Sequence, residues 1–395
     1  MKISFNRWWV VIGAILVQLC IGGVYTWSLF NQPLADAYGW ESNSVYLAYS
    51  IVIFIFAFTT IISGRLQDKF GPRKIATIGI VLYSAGLMLT STAESLWQLY
   101  LYYSLIAGVG IGFVYVCPLS TCVKWFPDKK GFITGIAVGA FGLGGFLFNS
   151  FIQTFIESVG VSRAFFYQGI IYMIIGLIGA QLLRKPKINT SEVSDKIIND
   201  NEFTVTQMIK TNSFYLIWFI YLTGTITGLL VIGLAKDIGM DVAGLAPEIA
   251  ANAVALAAIF NALGRITWGI LSDKLGRLRV ISVMFGLTAV AVGLLSTITP
   301  NTWLFFSIVA IIAFCFGGFL AVIPPLTSDY YGIKNLGANY GLVYQGYGIA
   351  ALVGPMLISL AGGFKPAFLI AALLTIVGLI LSLLVKPPLQ IKPID

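Results

Sequence analysis

Twelve apolar runs, each about as long as a bilayer-crossing helix, dominate this sequence. They fall at about 8–30, 44–64, 75–93, 97–118, 131–157, 163–183, 214–235, 249–271, 279–298, 301–327, 336–361 and 364–385. In hydrocarbon every backbone N–H and C=O needs an internal partner, so such runs fold as helices. They are continuous rather than alternating, which argues against a transmembrane β-barrel. Composition agrees. Hydrophobic residues make up 58% of the 395 and charged residues 10%, against about a quarter charged in a soluble domain. A soluble enzyme could not hide that much apolar surface. The expected fold class is all-α integral membrane, with 12 transmembrane helices. The first run follows Lys2 and Arg7 as a secretion signal would, but it continues to Phe30 without a small-residue cleavage site, so a retained helix is expected.

Several chemistries are absent. There is no histidine, which removes His catalysis, His metal sites and His proton relays. Cys20, Cys117, Cys122 and Cys315 lie in or beside apolar runs with no Cys-x-x-Cys pair, as small embedded residues do. No nucleophile–base pair or metal-ligand cluster is visible. The expectation is no enzyme activity, no catalytic residue, no cofactor and no metal.

The net charge of +8 is an address rather than a nucleic-acid patch. With the N-terminus in the cytoplasm, cytoplasmic segments hold 20 of the 24 Lys and Arg. The external loops hold Arg163, Lys236 and Lys365, and Arg265 lies inside the eighth run. This bias places both termini in the cytoplasm, in a multi-pass protein of the cell's inner membrane. The expected partners are the lipid bilayer and a small organic anion, with no nucleic acid, and the protein is expected to be a monomer.

A polar segment at 184–213 reads as a linker between two six-helix bundles, 1–183 and 214–395. The halves repeat. Gly64, Asp68 and Gly71, followed by Arg73 and Lys74, recur as Gly269, Asp273 and Gly276, followed by Arg277 and Arg279. Pro118 and Pro324, Gly135 and Gly341, and Gly142 and Gly348 keep nearly the same offset. Parallel repeats imply a pseudo-two-fold axis along the membrane normal, with a site where the repeats meet.

Arg265 is the conspicuous residue. It lies roughly 10–12 Å into its span from Ser272 and Asp273 at 1.5 Å per residue. Burying a guanidinium there costs about 2.5–3.5 kcal/mol on insertion scales, and it cannot escape by deprotonating. No Asp or Glu lies deep in any span. A small carboxylate would supply the missing counter-ion through bidentate hydrogen bonds; alternatively, Arg265 snorkels to the surface. Asn261, one turn earlier on the same face, either orients the arginine or donates to a ligand. Tyr25, Tyr115, Tyr344 and Tyr347 lie near mid-membrane. They are either packed or offer neutral donors to an anion. Gln345 faces a cavity or a neighbouring helix. The glycines at 108, 110 and 112 sit inside an apolar span with no strand before them, so they permit helix packing and are not a nucleotide loop.

The repeated glycine–aspartate–glycine segment and the 6+6 layout resemble the major facilitator superfamily. More narrowly, Gly23, Tyr25 and Trp27, the stretch from Lys124 through Trp125 and Phe126 to Gly131, Asn261 with Arg265 and Trp268, and Asn339, Tyr340 and Gly341 resemble the oxalate:formate antiporter family. The resemblance extends to its pyruvate and monocarboxylate-type members. It implies that Arg265 is a carboxylate-binding arginine and that Tyr25, Tyr115 and Tyr344 line a cavity, with Phe141 and Phe316 at further aromatic positions. It also implies that Gly64, Asp68, Gly71, Arg73, Asp273, Gly276 and Arg277 latch the halves in one access state.

Two departures matter. Oxalate-transporting members carry a lysine in the eleventh span where this chain has Tyr347. Two cations suit a dianion and one suits a monoanion. Animal-type monocarboxylate transporters pair the span-eight arginine with an aspartate one turn earlier, where this chain has Asn261. The expected function is therefore secondary transport of pyruvate, lactate, formate or similar monocarboxylates by alternating access, as exchange. The alternatives are proton symport, oxalate/formate-type exchange, a drug or sugar exporter, and a membrane anion sensor.

Overall fold

The computed structural model describes residues 6–186 and 202–388. Lys2 and much of the expected linker lie outside the described residues. The helices are α1 (Arg7–Gly22), α2 (Ser28–Tyr38), α3 (Ser42–Phe70), α4 (Pro72–Thr90), α5 (Leu96–Leu99), α6 (Gly108–Trp125), α7 (Lys130–Val159), α8 (Val161–Leu182), α9 (Val205–Met208), α10 (Asn212–Gly233), α11 (Ala235–Asp241), α12 (Pro247–Leu275), α13 (Arg277–Thr297), α14 (Thr302–Tyr331), α15 (Leu336–Val343), α16 (Gln345–Ala361) and α17 (Phe364–Leu384). No strand occurs among the described residues.

Among the described residues, eleven stretches are long and apolar enough to cross a membrane. They coincide with eleven of the expected runs. The remaining run, the eleventh, expected as one helix over 336–361, is interrupted. α15 stops at Val343 and α16 starts at Gln345. The N–H groups of Tyr347 and Gly348 both donate to the Tyr344 carbonyl, at 3.0 and 3.2 Å. Gly341, Gly346 and Gly348 surround this break, and glycine is a poor helix former. Other spans also depart from a plain α-helix. Gly23–Trp27 is a 3₁₀ segment between α1 and α2, with Thr26 Oγ1 donating to the Gly23 carbonyl at 2.7 Å. Tyr100–Ala107 is π-helical. Such irregular turns are concentrated at functional places in helices.

The repeated glycine–aspartate segments, which run past the expected span ends at 64 and 271, are largely helical. α3 runs through Gly64 and Asp68 to Phe70, and α12 runs through Gly269 and Asp273 to Leu275. Each helix ends at a glycine with positive φ, Gly71 at 98° and Gly276 at 94°. A Cβ is disfavoured in that region, which is why both copies keep glycine there.

The chain divides into two compact units. The first holds residues 6–127, 140–186 with Glu202, and 333–342. In it α4 packs on α8 and α6, and α3 and α1 also pack on α6. Its core is aromatic. Trp27 lies 4.2 Å from Tyr103 and Phe30 stacks on Phe165 at 4.0 Å. The second holds 128–139, 203–332 and 343–388. There α12 packs along α14, α13 on α17, and α10 on α16. Its core gathers Leu230, Val292, Phe305 and Phe368. Many large apolar side chains point outward, Phe146 at 70% and Leu360 at 73% exposure among them. That is stable facing lipid and not facing water.

Helices cross closely where side chains are missing. A Cβ on Gly64 would overlap the Gly337 carbonyl, and one on Gly269 would overlap that of Gly131. By contrast, a Cβ on Gly286 would meet nothing within 4 Å. Gly269→Val is therefore expected to lower the thermal midpoint in detergent, at an overpacking cost of about 1–3 kcal/mol. Gly286→Val should leave it nearly unchanged. Equal midpoints for the two variants would refute the close-crossing argument.

Candidate functional site

Arg265 is 0% exposed. It does not snorkel. Nε donates to Asn261 Oδ1 at 3.0 Å, and Nη1 donates to the Val138 carbonyl. Both bonds fix the guanidinium plane. Nη2 has no hydrogen-bond partner among the described residues. None of the ion pairs among them involves Arg265. α14 makes room for this arrangement. A Cβ on Gly317 would overlap the Asn261 carbonyl and come within 2.9 Å of its Oδ1. The site thus holds a rigid cation with an unused donor, and Asn261 serves as its orienting acceptor.

Three other expected residues of the second unit gather on α16 and its N-cap. Tyr344 and Tyr347 are buried, 5.0 Å apart, and both neighbour Tyr221 of α10. Gln345 is buried as the first residue of α16. Tyr344 is the residue at which the helix breaks, a feature that the sequence expectation of a continuous span missed. Phe316 packs its ring on the bare backbone of Gly228.

In the first unit, Phe141 is the centre of an aromatic cluster. Tyr25 meets it edge-on at 5.2 Å and Tyr115 at 5.4 Å, and Phe56 packs on Tyr115 at 5.1 Å. Tyr25 sits in the 3₁₀ segment of the first span. The close approach of α1 to Phe141 requires Gly22, whose Cβ would overlap the Phe141 carbonyl.

The carboxylates of the repeated segments bind helix N-termini. Asp273 accepts from the Gly131 and Phe132 N–H groups of α7 at 2.9 and 2.8 Å, and from Arg277 at 2.6 Å. Asp68 accepts from the Ala338 N–H of α15 at 2.8 Å and from Lys124 Nζ at 2.8 Å. An anion is favoured there by the unpaired N–H groups and the helix dipole. Lys185 reaches the Asp68 carbonyl at 2.5 Å, and burial and the neighbouring Lys124 hold it below the usual lysine range. Arg73, expected in the latch, turns instead to Gln181 Oε1 at 2.5 Å. Lys124 takes the place beside Asp68. On the other copy, Arg277 also binds Asp329 at 3.0 Å, and Lys130 binds Asp329 at 2.8 Å.

The repeat offset shows what else was legible. It aligns Thr60 with Arg265, and Gly341 with Gly135. Thr60 Oγ1 donates to the Gly341 carbonyl at 3.1 Å, as Arg265 Nη1 donates to that of Val138. At the aligned position, each unit thus has a buried donor bonded to the carbonyl of a crossing helix. Val138 itself could not be found from residue type, because only its backbone takes part.

The fold and the buried cation define a polytopic membrane transporter. The profile of the Major Facilitator Superfamily matches residues 10–245 and 213–394. An uncharacterized MFS-type transporter of Escherichia coli (strain K12), YhjX, is 34% identical over 88% of this chain and 86% of its own. The oxalate:formate antiporter of Oxalobacter formigenes is 32% identical over 97% of this chain and 92% of its own. The crystal structure of the transporter FucP in the outward conformation superposes with a TM-score of 0.71 at 16% identity, covering 97% and 99% of the two chains. The chain belongs to the major facilitator superfamily and is a homologue of the oxalate:formate antiporter. That superfamily comprises transporters rather than enzymes.

Lys124→Met leaves a mostly buried Asp68 carboxylate without its cation, at a cost of about 3–5 kcal/mol. It should lower the thermal midpoint clearly more than Arg73→Met does. Adding Asp68→Asn to Lys124→Met should recover part of the loss, as expected for directly coupled residues. Additive losses in the double variant would exclude the pairing.

Proposed function

We propose that this chain transports small monocarboxylate anions of the pyruvate, lactate and formate class. The observation that carries the reading is the fully buried Arg265 with Nη2 unbonded and no acid beside it among the described residues. An uncompensated buried cation is costly, and a carboxylate is the ligand that best matches its geometry. The relationship to an antiporter of two small carboxylates supports an anion as cargo. Tyr347 in place of a second cation favours a monoanion over oxalate.

In this reading the substrate carboxylate bonds to Nη2, while Asn261 and the Val138 carbonyl keep the guanidinium from following it. The tyrosine hydroxyls of Tyr344 and Tyr347 donate to anionic or carbonyl oxygens without adding charge. Phe316 and the side chain of Gln345 complete the walls in the second unit. Alternating access then moves a neutralised site. The empty site retains a bare cation, which opposes closure in a low dielectric. Exchange should therefore outrun net flux. Gly64, Asp68 and Gly71, with Lys124 in the place expected for Arg73, and Asp273, Gly276 and Arg277 act as the latch of one access state. The lysine and arginine bias supports a cytoplasmic position for these residues and both termini, in the inner membrane.

Proteoliposomes loaded with unlabelled pyruvate are expected to take up labelled pyruvate faster than empty ones. Arg265→Ala loses a charge-assisted hydrogen bond of about 1.5–3 kcal/mol, so uptake should fall about tenfold or more. Uptake by that variant at the wild-type rate would overturn the site. Equal uptake into empty vesicles, driven by external acid, would replace exchange with proton symport. Tyr347→Lys should lower pyruvate uptake and raise oxalate uptake. Unchanged preference would defeat the charge-matching argument.

A further inference from the structure

Apart from the proposed substrate site, the second unit carries an open cavity of about 490 Å³ at one end and another of about 460 Å³ at the other, beside the start of α13. The latter is lined by Gly276, Arg277, Leu278, Arg279, Asp329 and Tyr330, among others. Its charges are not equally available. Arg277 is bonded to Ser272, Asp273 and Asp329, and Asp329 is bonded to Lys130 and Arg277. Arg279 is exposed and has no hydrogen bond or ion pair among the described residues.

Two further groups point to an anion. α13 begins here, and its N-cap Gly276 has no side chain to satisfy the first N–H groups. Tyr330 lines the cavity while only 7% exposed, and its hydroxyl has no hydrogen-bond partner among the described residues. The feature is particular to this copy of the repeat. The corresponding helix of the first unit, α4, starts at Pro72, which has no N–H to offer.

The surface leading away from the cavity identifies the kind of anion. Arg279, Val283, Leu287 and Val290 follow one another along one face of α13 at spacings of four, four and three residues. The three apolar side chains are 52%, 42% and 66% exposed. A cation and a helix N-terminus thus stand at the head of an apolar ridge on the outside of the bundle. Free phosphate would use the head and leave the ridge bare. A phospholipid uses both.

We propose that this cavity is a binding site for the phosphate headgroup of an anionic phospholipid. Arg279 and the first N–H groups of α13 hold the phosphate, the Tyr330 hydroxyl donates to it, and an acyl chain lies along Val283, Leu287 and Val290. Basic pockets between membrane helices recognise anionic headgroups in this way. The site is separate from Arg265 and does not depend on which substrate is carried.

The test is native mass spectrometry of the full chain, titrated in detergent with phosphatidylglycerol or phosphatidylcholine of identical acyl chains. Parallel samples contain inorganic phosphate or glycerol phosphate as competitor. Wild type is expected to retain phosphatidylglycerol several-fold over phosphatidylcholine, and the soluble phosphates should not displace it. Arg279→Gln changes an exposed side chain, and Tyr330→Phe keeps the packing of the ring. Each should bring the ratio of the two lipids close to one while leaving the thermal midpoint without lipid unchanged. Val283→Asn should weaken retention of both lipids. Unchanged phosphatidylglycerol preference in Arg279→Gln and Tyr330→Phe would overturn the assignment. Displacement by inorganic phosphate at matched concentration would overturn the lipid as its occupant.

Discussion

A guanidinium must be solvated by something, and inside a helical membrane bundle water is scarce. Arg265 meets that constraint only in part. Asn261 and the Val138 carbonyl occupy Nε and Nη1, and Nη2 is left over. A protein acid beside Arg265 would have completed the shell and made the arginine purely structural, but none pairs with it among the described residues. In the proposed reading, a ligand carboxylate completes this shell, and that is the use of burying so expensive a residue. Gly317 and Gly264 belong to the same arrangement, because α12 and α14 can sit this closely only without side chains at those positions.

The repeat gives the same solution twice with different chemistry. In one unit a threonine hydroxyl and in the other an arginine reaches the carbonyl of a crossing helix. One turn further along, glycine meets glycine, Gly64 with Gly337 and Gly269 with Gly131. Beyond that, Asp68 and Asp273 cap the N-termini of the crossing helices. Donor, bare crossing and carboxylate cap thus follow in the same order on α3 and α12. Threonine at position 60 holds its crossing without a charge, whereas arginine at position 265 holds it with one. At this position the second unit therefore carries a charged donor that its hydrogen bonds do not use up, and the first unit does not.

Much of this was legible in the sequence because hydrophobic length and charge bias act over whole spans. The fold class follows from the apolar runs, and the importance of Arg265 follows from a cation without an acid. The break at Tyr344 was not legible, since glycines in an apolar run are equally consistent with close packing of a continuous helix. Nor was the exchange of roles between Arg73 and Lys124. Both are cations near Asp68, and only the path of α3 and α6 decides which one reaches it. The repeat offset did contain Thr60, though a threonine in a membrane helix is too common to stand out by type. The snorkelling alternative for Arg265 could be settled only by seeing that its side chain is enclosed rather than extended along the span.

The central claim is that the vacant donor of Arg265 selects for negative charge. Titration calorimetry of the purified protein with pyruvate and with pyruvamide, its neutral amide of nearly equal size, tests that most directly. The account predicts that pyruvate binds with an affinity at least about tenfold higher, the difference expected for one charge-assisted hydrogen bond. Equal affinities for the two compounds would contradict it.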